Sequence, residues 1–291
     1  MPQTRGFTLV ELVMVIALAG IVAVMIGTVL SSPLEGFVAQ SRRAGLVDLA
    51  ATALNRLSRD VRLAVPNSVR LSADGLTLET LNILSAGRYR PNRVGGEGLR
   101  FAAGTDATCT AMGNRCDAFQ VLDPALNIAG ARWLVLYNIG VTSGGNPVTG
   151  NLWAGVNPGV ISPNAVTFAT PGGAPAGETL VVLNNFGGGF SFAYASPQRR
   201  FYFADQVIGY RCDLPGRQLL RYTGIALSVA APNVAPAGAQ VLASNVSACT
   251  LTYQPGSTQR AGLLTIGLGL TDPASGESIQ LLQQVHVDNA P

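Results

Sequence analysis

From Phe7 to Leu30 the chain runs for 24 residues with a single charge, Glu11. As an α-helix rising about 1.5 Å per residue, this run is about 36 Å long, enough to cross a ~30 Å hydrocarbon core. Ser31, Ser32 and Pro33 close it. A cleavable secretory signal has an apolar stretch of about 7–15 residues with a small-residue site behind it. Here the run is longer, and the small residue, Gly6, stands in front of it. Charge leaves the orientation open, because Arg5 precedes the run while Arg42 and Arg43 follow it closely. Over the whole chain only 12% of residues are charged, about half the usual ~25%, which excludes disorder driven by charge. All 19 basic residues are arginine, and the net charge of +3 is too small to argue a nucleic-acid protein. His286 is the sole histidine, which leaves little scope for histidine catalysis or metal binding.

Glu11 is the anomaly in the run. A carboxylate at the centre of a membrane span costs about 2.5–3.5 kcal/mol on insertion scales, and less near the interface. Two readings follow. Glu11 sits at headgroup level and reaches water, or it pairs with a cation. If the chain is cut after Gly6, the new amine sits on Phe7, four residues from Glu11, on the same face of a helix.

Gly6-Phe7-Thr8-Leu9-Val10-Glu11, followed by the apolar run, resembles the class III signal of type IV pilins and type II secretion pseudopilins. The resemblance implies that a prepilin peptidase cuts between Gly6 and Phe7 and methylates the Phe7 amine. It implies that Glu11 neutralises the amine of an adjacent subunit and so sets its register. The implied partners are the membrane before assembly, the inner-membrane assembly platform, and the major and other minor pilins. The implied location is the inner membrane, single-pass with a periplasmic head, and then an extracellular pilus or periplasmic pseudopilus. Residues 1–6 are then a leader, 7–32 a membrane and filament-core helix, 33–65 its amphipathic second half, and 66–291 a β-rich head.

The remaining pattern agrees with an α+β, pilin-like fold: a long N-terminal helix on a mainly antiparallel sheet with loop-rich insertions. Leu46, Leu49, Ala50, Ala53, Leu54, Leu57 and Val61 recur at helical spacing, with arginines and aspartates between them. Pro33 is expected to kink or interrupt the helix, and Pro66 to stop it near Val65. With 34 glycines and 17 prolines, the rest suits a turn-rich β protein. Val69–Ala73 and Leu76–Leu84 flank Asp74-Gly75, a favoured two-residue hairpin turn. Strands are expected at 133–137, 179–183, 201–210, 218–222, 240–242 and 247–253. A terminal hairpin is expected from 262–271 and 277–287. Thr142–Glu178, rich in Gly and Pro, reads as a loop-rich insertion with one short strand at 165–169.

Cys109, Cys116, Cys212 and Cys249 are even in number and lie beyond the apolar run, which fits an oxidising compartment. Three pairings exist; loop size favours Cys109–Cys116, leaving Cys212–Cys249. Reduced core cysteines in a cytosolic chain are the alternative, and zinc spacing is absent. Arg88-Tyr89-Arg90-Pro91-Asn92-Arg93 is basic with one aromatic, a pattern that can contact phosphates and stack a base, although a solvated loop is the simpler reading. Gly189-Phe190-Ser191-Phe192-Ala193 half matches a nucleophile elbow, with His286 and Asp288 as the available partners. It lacks the strand–turn–helix context, so no enzyme, cofactor or metal is expected. Segments around Val207–Cys212, Leu220–Tyr222, Asn245–Cys249 and Gln284–Asp288, with Arg59–Arg62 and Pro66–Arg70, resemble the O-type minor pilins of the MSHA (mannose-sensitive haemagglutinin) pilus system. W-type minor pilins and J-type pseudopilins are looser matches. The expected function is a minor pilin in assembly initiation or the tip complex. A type II secretion pseudopilin, or a tip adhesin or DNA-binding module, is the alternative.

Overall fold

The computed structural model describes residues 6–256 and 260–287, with the backbone alone at 28–35. Two units make up the chain, Met1–Asp48 and Leu49–Pro291. Helix α1 (Leu9–Arg62) begins in the first and ends in the second. Its secondary structure continues through Pro33, so the expected interruption there does not occur. The proline costs one backbone donor, and the flanking turns supply the rest of the ladder.

In the second unit the apolar stripe of α1 is internal: Ala50, Ala53, Leu54, Leu57 and Val61 are all buried. The helix ends at Arg62, three residues before the expected Val65. The cause is pairing with a strand: Ala64 bridges Asn82, and the Val65 N–H donates to the Leu81 carbonyl at 2.8 Å.

The strands follow in chain order. The first are β1 (Arg70–Leu71), β2 (Thr77–Arg88), β3 (Arg100–Phe101), β4 (Ala118–Val121) and β5 (Trp133–Val135). Within the loop-rich segment come the small ribbon of β6 (Thr142–Ser143) and β7 (Asn146–Pro147), and then β8 (Thr167–Ala169). Next are β9 (Thr179–Asn184), β10 (Phe190–Ser191), β11 (Arg200–Asp213) and β12 (Gln218–Ile225). Last are β13 (Gln240–Ser244), β14 (Val246–Gln254), β15 (Gly262–Thr271) and β16 (Ser278–Val287). The main sheet has the order β1-β2-β11-β12-β13, with β5 also pairing β11. Separate sheets are β4-β9-β8 and β14-β15-β16, and all the strand pairs are antiparallel. The hairpin expected at Asp74-Gly75 exists, but its loop has four residues. Ser72 pairs with Thr77, and only Gly75 takes a positive φ, of 70°. The Asp74 carboxylate accepts from the Ser72 hydroxyl and the Leu76 N–H, which widens the turn.

Eight of the ten phenylalanines gather in one core, with Phe101 stacked on Phe190 and Phe119 edge-on to Phe201. The other two, Phe7 and Phe37, lie exposed on or just before α1.

One row of residues crosses four strands: Arg70, Glu79, Gly209 and Tyr222 stand opposite one another on β1, β2, β11 and β12. Glu79 is wholly buried. Arg70 donates to its Oε2 at 2.6 and 3.0 Å, and the Tyr222 hydroxyl donates to its Oε1 at 2.9 Å. Tyr222 reaches that far only because Gly209 has no side chain; a Cβ there would lie 2.0 Å from the Tyr222 ring. On the other side of the sheet, Tyr210 and Arg221 both donate to the Asp60 carboxylate of α1, at 2.7 and 2.9 Å. Burial, and then the carboxylate beside each, holds Tyr210 and Tyr222 above the ordinary tyrosine value of 10.

Two outcomes follow for the detergent-solubilised full chain. Gly209→Ala should destabilise the head by about 1–3 kcal/mol in denaturant titration, because the Tyr222 ring must leave Glu79. Since the folded head keeps its tyrosine protons longer than the unfolded chain, stability is full below about pH 10 and falls as pH rises beyond it. Alkaline titration by circular dichroism should show that slope, and Tyr210→Phe with Tyr222→Phe should reduce it, leaving the part due to Tyr89 and Tyr253, which burial also holds above 10.

Candidate processing and assembly site at the helix start

Gly6 precedes α1 in open space: a Cβ there meets nothing within 4 Å, and its φ is not in the left-handed region. Folding therefore does not require glycine at this position. Phe7 is 79% exposed, so its ring is not held by the chain either. Thr8 is the residue that starts the helix. The Glu11 N–H donates to Thr8 Oγ1 at 3.3 Å and to the Thr8 carbonyl at 3.1 Å, and the Leu12 N–H donates to the same carbonyl at 3.2 Å. Thr8 and Glu11 have the spacing of a capping box, and an acid in the first turn complements the positive end of the helix dipole. Glu11 thus has a local role as well as the intermolecular one that the resemblance implies. The Thr-x-x-Glu spacing was the signal for it.

Beyond Glu11 the helix is apolar all round. Leu9–Gly27 has a mean hydropathy of 2.8 and no buried residue. A core helix of a soluble protein would be covered by its own chain, and among the described residues nothing buries this one. Its apolar surface needs lipid or other helices. Arg5 and the rest of residues 1–5 lie outside the described residues.

The family model described as the prokaryotic N-terminal methylation motif matches residues 1–27. The chain carries a prepilin-type signal. No curated protein and no solved structure matches the chain. The signal, the apolar helix and the β-rich head together support a type IV pilin-like or pseudopilin-like subunit, structural rather than enzymatic. Such a signal implies processing by a prepilin peptidase, membrane anchoring, and assembly with other pilins.

Other residues singled out in the sequence fall in the head. Arg88 and Arg90 are exposed, and Tyr89 between them is fully buried with its hydroxyl donating to the Glu97 carbonyl at 2.9 Å. Alternation along extended chain puts the aromatic inside, so it cannot stack a base. Arg90 donates to Glu178 Oε1 at 2.8 Å, and Arg93 donates to Thr108 Oγ1 at 3.1 Å. Charge that the sequence presents as a basic run is thus partly neutralised by a glutamate 88 residues further on. Cys109 is bonded to Cys116 and Cys212 to Cys249; the second bond joins β11 of the main sheet to β14 of the C-terminal sheet. In the chain-entropy model a loop of that size is worth roughly 3–4 kcal/mol. Ser191 lies in the β3–β10 ribbon between buried Phe190 and Phe192, and His286 is exposed on β16. Asp288 lies outside the described residues. Among the described residues no group of three or more His, Cys, Asp or Glu is placed to hold a metal ion.

Replacing Thr8 by Ala should loosen the first turn by about 0.5–2 kcal/mol. Hydrogen exchange of the Glu11 and Leu12 amides in nanodiscs should quicken accordingly, and Thr8→Ser should restore the wild-type rate.

Proposed function

We propose that this chain is a minor pilin, of the MSHA O-type its segments resemble, acting in the initiation or tip complex of a type IV pilus. Residues 1–6 are a leader that prepilin peptidase removes, and the Phe7 amine is then methylated. Residues 7–32 hold the subunit in the inner membrane with its head in the periplasm, and later enter the filament core. Residues 33–65 carry the head, 66–291.

One observation carries this reading: a prepilin-type signal sits directly before an apolar helix that its own chain leaves uncovered. Such a helix moves from lipid to a bundle of sister helices without meeting water. Its one carboxylate then needs a partner. An unpaired charge in an apolar core costs several kcal/mol, and the Phe7 amine of a neighbouring subunit supplies the opposite charge at a fixed axial offset. Gly6 supports the same reading, since nothing in the fold calls for it. A large head with two disulfides suits a subunit present in few copies outside the cytoplasm.

Intact-mass spectrometry of the protein from its own host should find a chain beginning at methylated Phe7. Gly6→Ala should leave the melting temperature of the head unchanged while the leader stays attached. Glu11→Gln should be processed normally yet be missing from sheared pili. An intact Met1 in cells with active peptidase would overturn the reading. Deleting the protein separates the two systems: loss of surface pili supports the pilus assignment, and loss of type II secretion with pili intact makes it a pseudopilin.

A further inference from the structure

β16 is an unprotected sheet edge. It forms the outer strand of β14-β15-β16, and among the described residues it pairs with no strand but β15. Its register with β15 runs through ten pairs without a shift, whereas the β14–β15 pairing carries one. Residues 278–287 contain no Asp, Glu, Arg, Lys or Pro. Proteins usually blunt an edge with short length, a charge, a proline or a bulge, and β16 has none of these. Half of its peptide N–H and C=O groups point away from β15, so the surface that fits them is another extended strand.

The sequence of the edge selects which strand. On the solvent face Gln280, Leu282 and Gln284 are exposed in succession, and Leu282 is 71% exposed. Run antiparallel against a second copy of itself about Leu282, the exposed face of the strand is self-complementary. Leu282 meets Leu282, Gln280 lies opposite Gln284 on both sides of the axis, and Ile279 on the other face lies opposite Val285. On that other face Leu281 lies opposite Gln283; centring the axis on Leu281 or Gln283 instead sets the exposed Leu282 against Gln280 or Gln284. An axis between two residues would pair opposite faces of the sheet.

We infer that β16 is a homodimer edge: two copies of this chain join β16 to β16 about a twofold axis at Leu282. The two C-terminal sheets become one continuous six-stranded sheet. The interface is isologous and needs no other component. It does not depend on the helix or its processing.

Cysteine cross-linking of the full chain in nanodiscs tests both the contact and its register. All four native cysteines are paired, so an introduced one is the only free thiol. Leu282→Cys places two thiols directly opposite, at a Cα separation of about 4.5–5.5 Å, within disulfide range. Gln280→Cys alone places its copies four residues apart across the axis, about 13 Å, out of reach. The expected result is a disulfide dimer from Leu282→Cys and from a mixture of Gln280→Cys with Gln284→Cys, and none from either glutamine variant alone. Leu282→Lys, at an exposed site that leaves folding intact, should convert the dimer seen by light scattering to a monomer. A dimer that survives Leu282→Lys overturns the proposal. So do cross-links that ignore the register, and so does a Leu282→Cys product in host membranes whose mass is that of this chain plus a different protein.

Discussion

An apolar helix that finds no cover within its own chain decides how the rest of this molecule is built. Phe7 to Gly27 offers apolar side chains on every side. Lipid satisfies that surface, and so does a bundle of like helices, because both are equally dry. The choice between them is then set by polar detail, and the polar detail here is one carboxylate. Glu11 is tolerable where it touches headgroups and the helix dipole, and tolerable in a bundle where a cation meets it. Between those two states an unpaired Glu11 is penalised, and on the function proposed above the same residue would permit the membrane state and give the assembled state its register.

The head solves the opposite problem: it hides charge. Glu79 is enclosed completely and is made tolerable by three donors, two from Arg70 and one from Tyr222. Arg70 is itself placed by the carbonyls of Ser228 and Val229 and by the Trp153 ring 3.7 Å below its guanidinium. A pair of this kind is weak evidence for stability but a strict condition on register. Slipping β2 or β11 by one residue would turn Glu79 or Gly209 to the opposite face and leave the carboxylate unpaired. The Asp60–Tyr210–Arg221 cluster imposes a similar condition on the end of α1. The Cys212–Cys249 bond then holds the C-terminal sheet to the same strand, β11.

How much of this was legible in the sequence follows the range of each interaction. The apolar run and Gly6–Glu11 are contiguous, and so were readable directly. Strands β9, β11, β12 and β15 were visible because their buried residues are contiguous or alternate within a few positions. The turn at Asp74-Gly75 was misjudged, because the Asp74 carboxylate binds Ser72 and Leu76 and so lengthens the loop. Tyr89 was read as able to stack a base because it is the one aromatic in a basic run, yet alternation sends it inward. The Arg70–Glu79–Gly209–Tyr222 row was invisible, since it requires the pairing of four strands drawn from positions 70 to 222. Gly209 in particular reads as an ordinary strand glycine until Tyr222 lies across it.

The head places its charges unevenly, and the pattern bears on how such a subunit meets others. Arg90 with Glu178, Arg115 with Asp117, Arg199 with Glu97 and Arg211 with Asp74 are mutual pairs on or near the surface. Pairs of this kind contribute only about 0–1 kcal/mol each, but they leave those surfaces well solvated and hard to strip of water. Among the elements that carry little charge, the apolar helix has one carboxylate in its first turn and lies exposed, and β16 has no Asp, Glu, Arg or Lys and lies at a sheet edge. Desolvating them costs little, and what they need from a neighbour differs. The helix needs apolar surface from any helix, so many partners fit it. β16 needs peptide groups at strand spacing and side chains in register, so few do. On the two readings proposed above, one permissive contact and one selective contact would let the subunit join a common filament core while its head still chooses its neighbour.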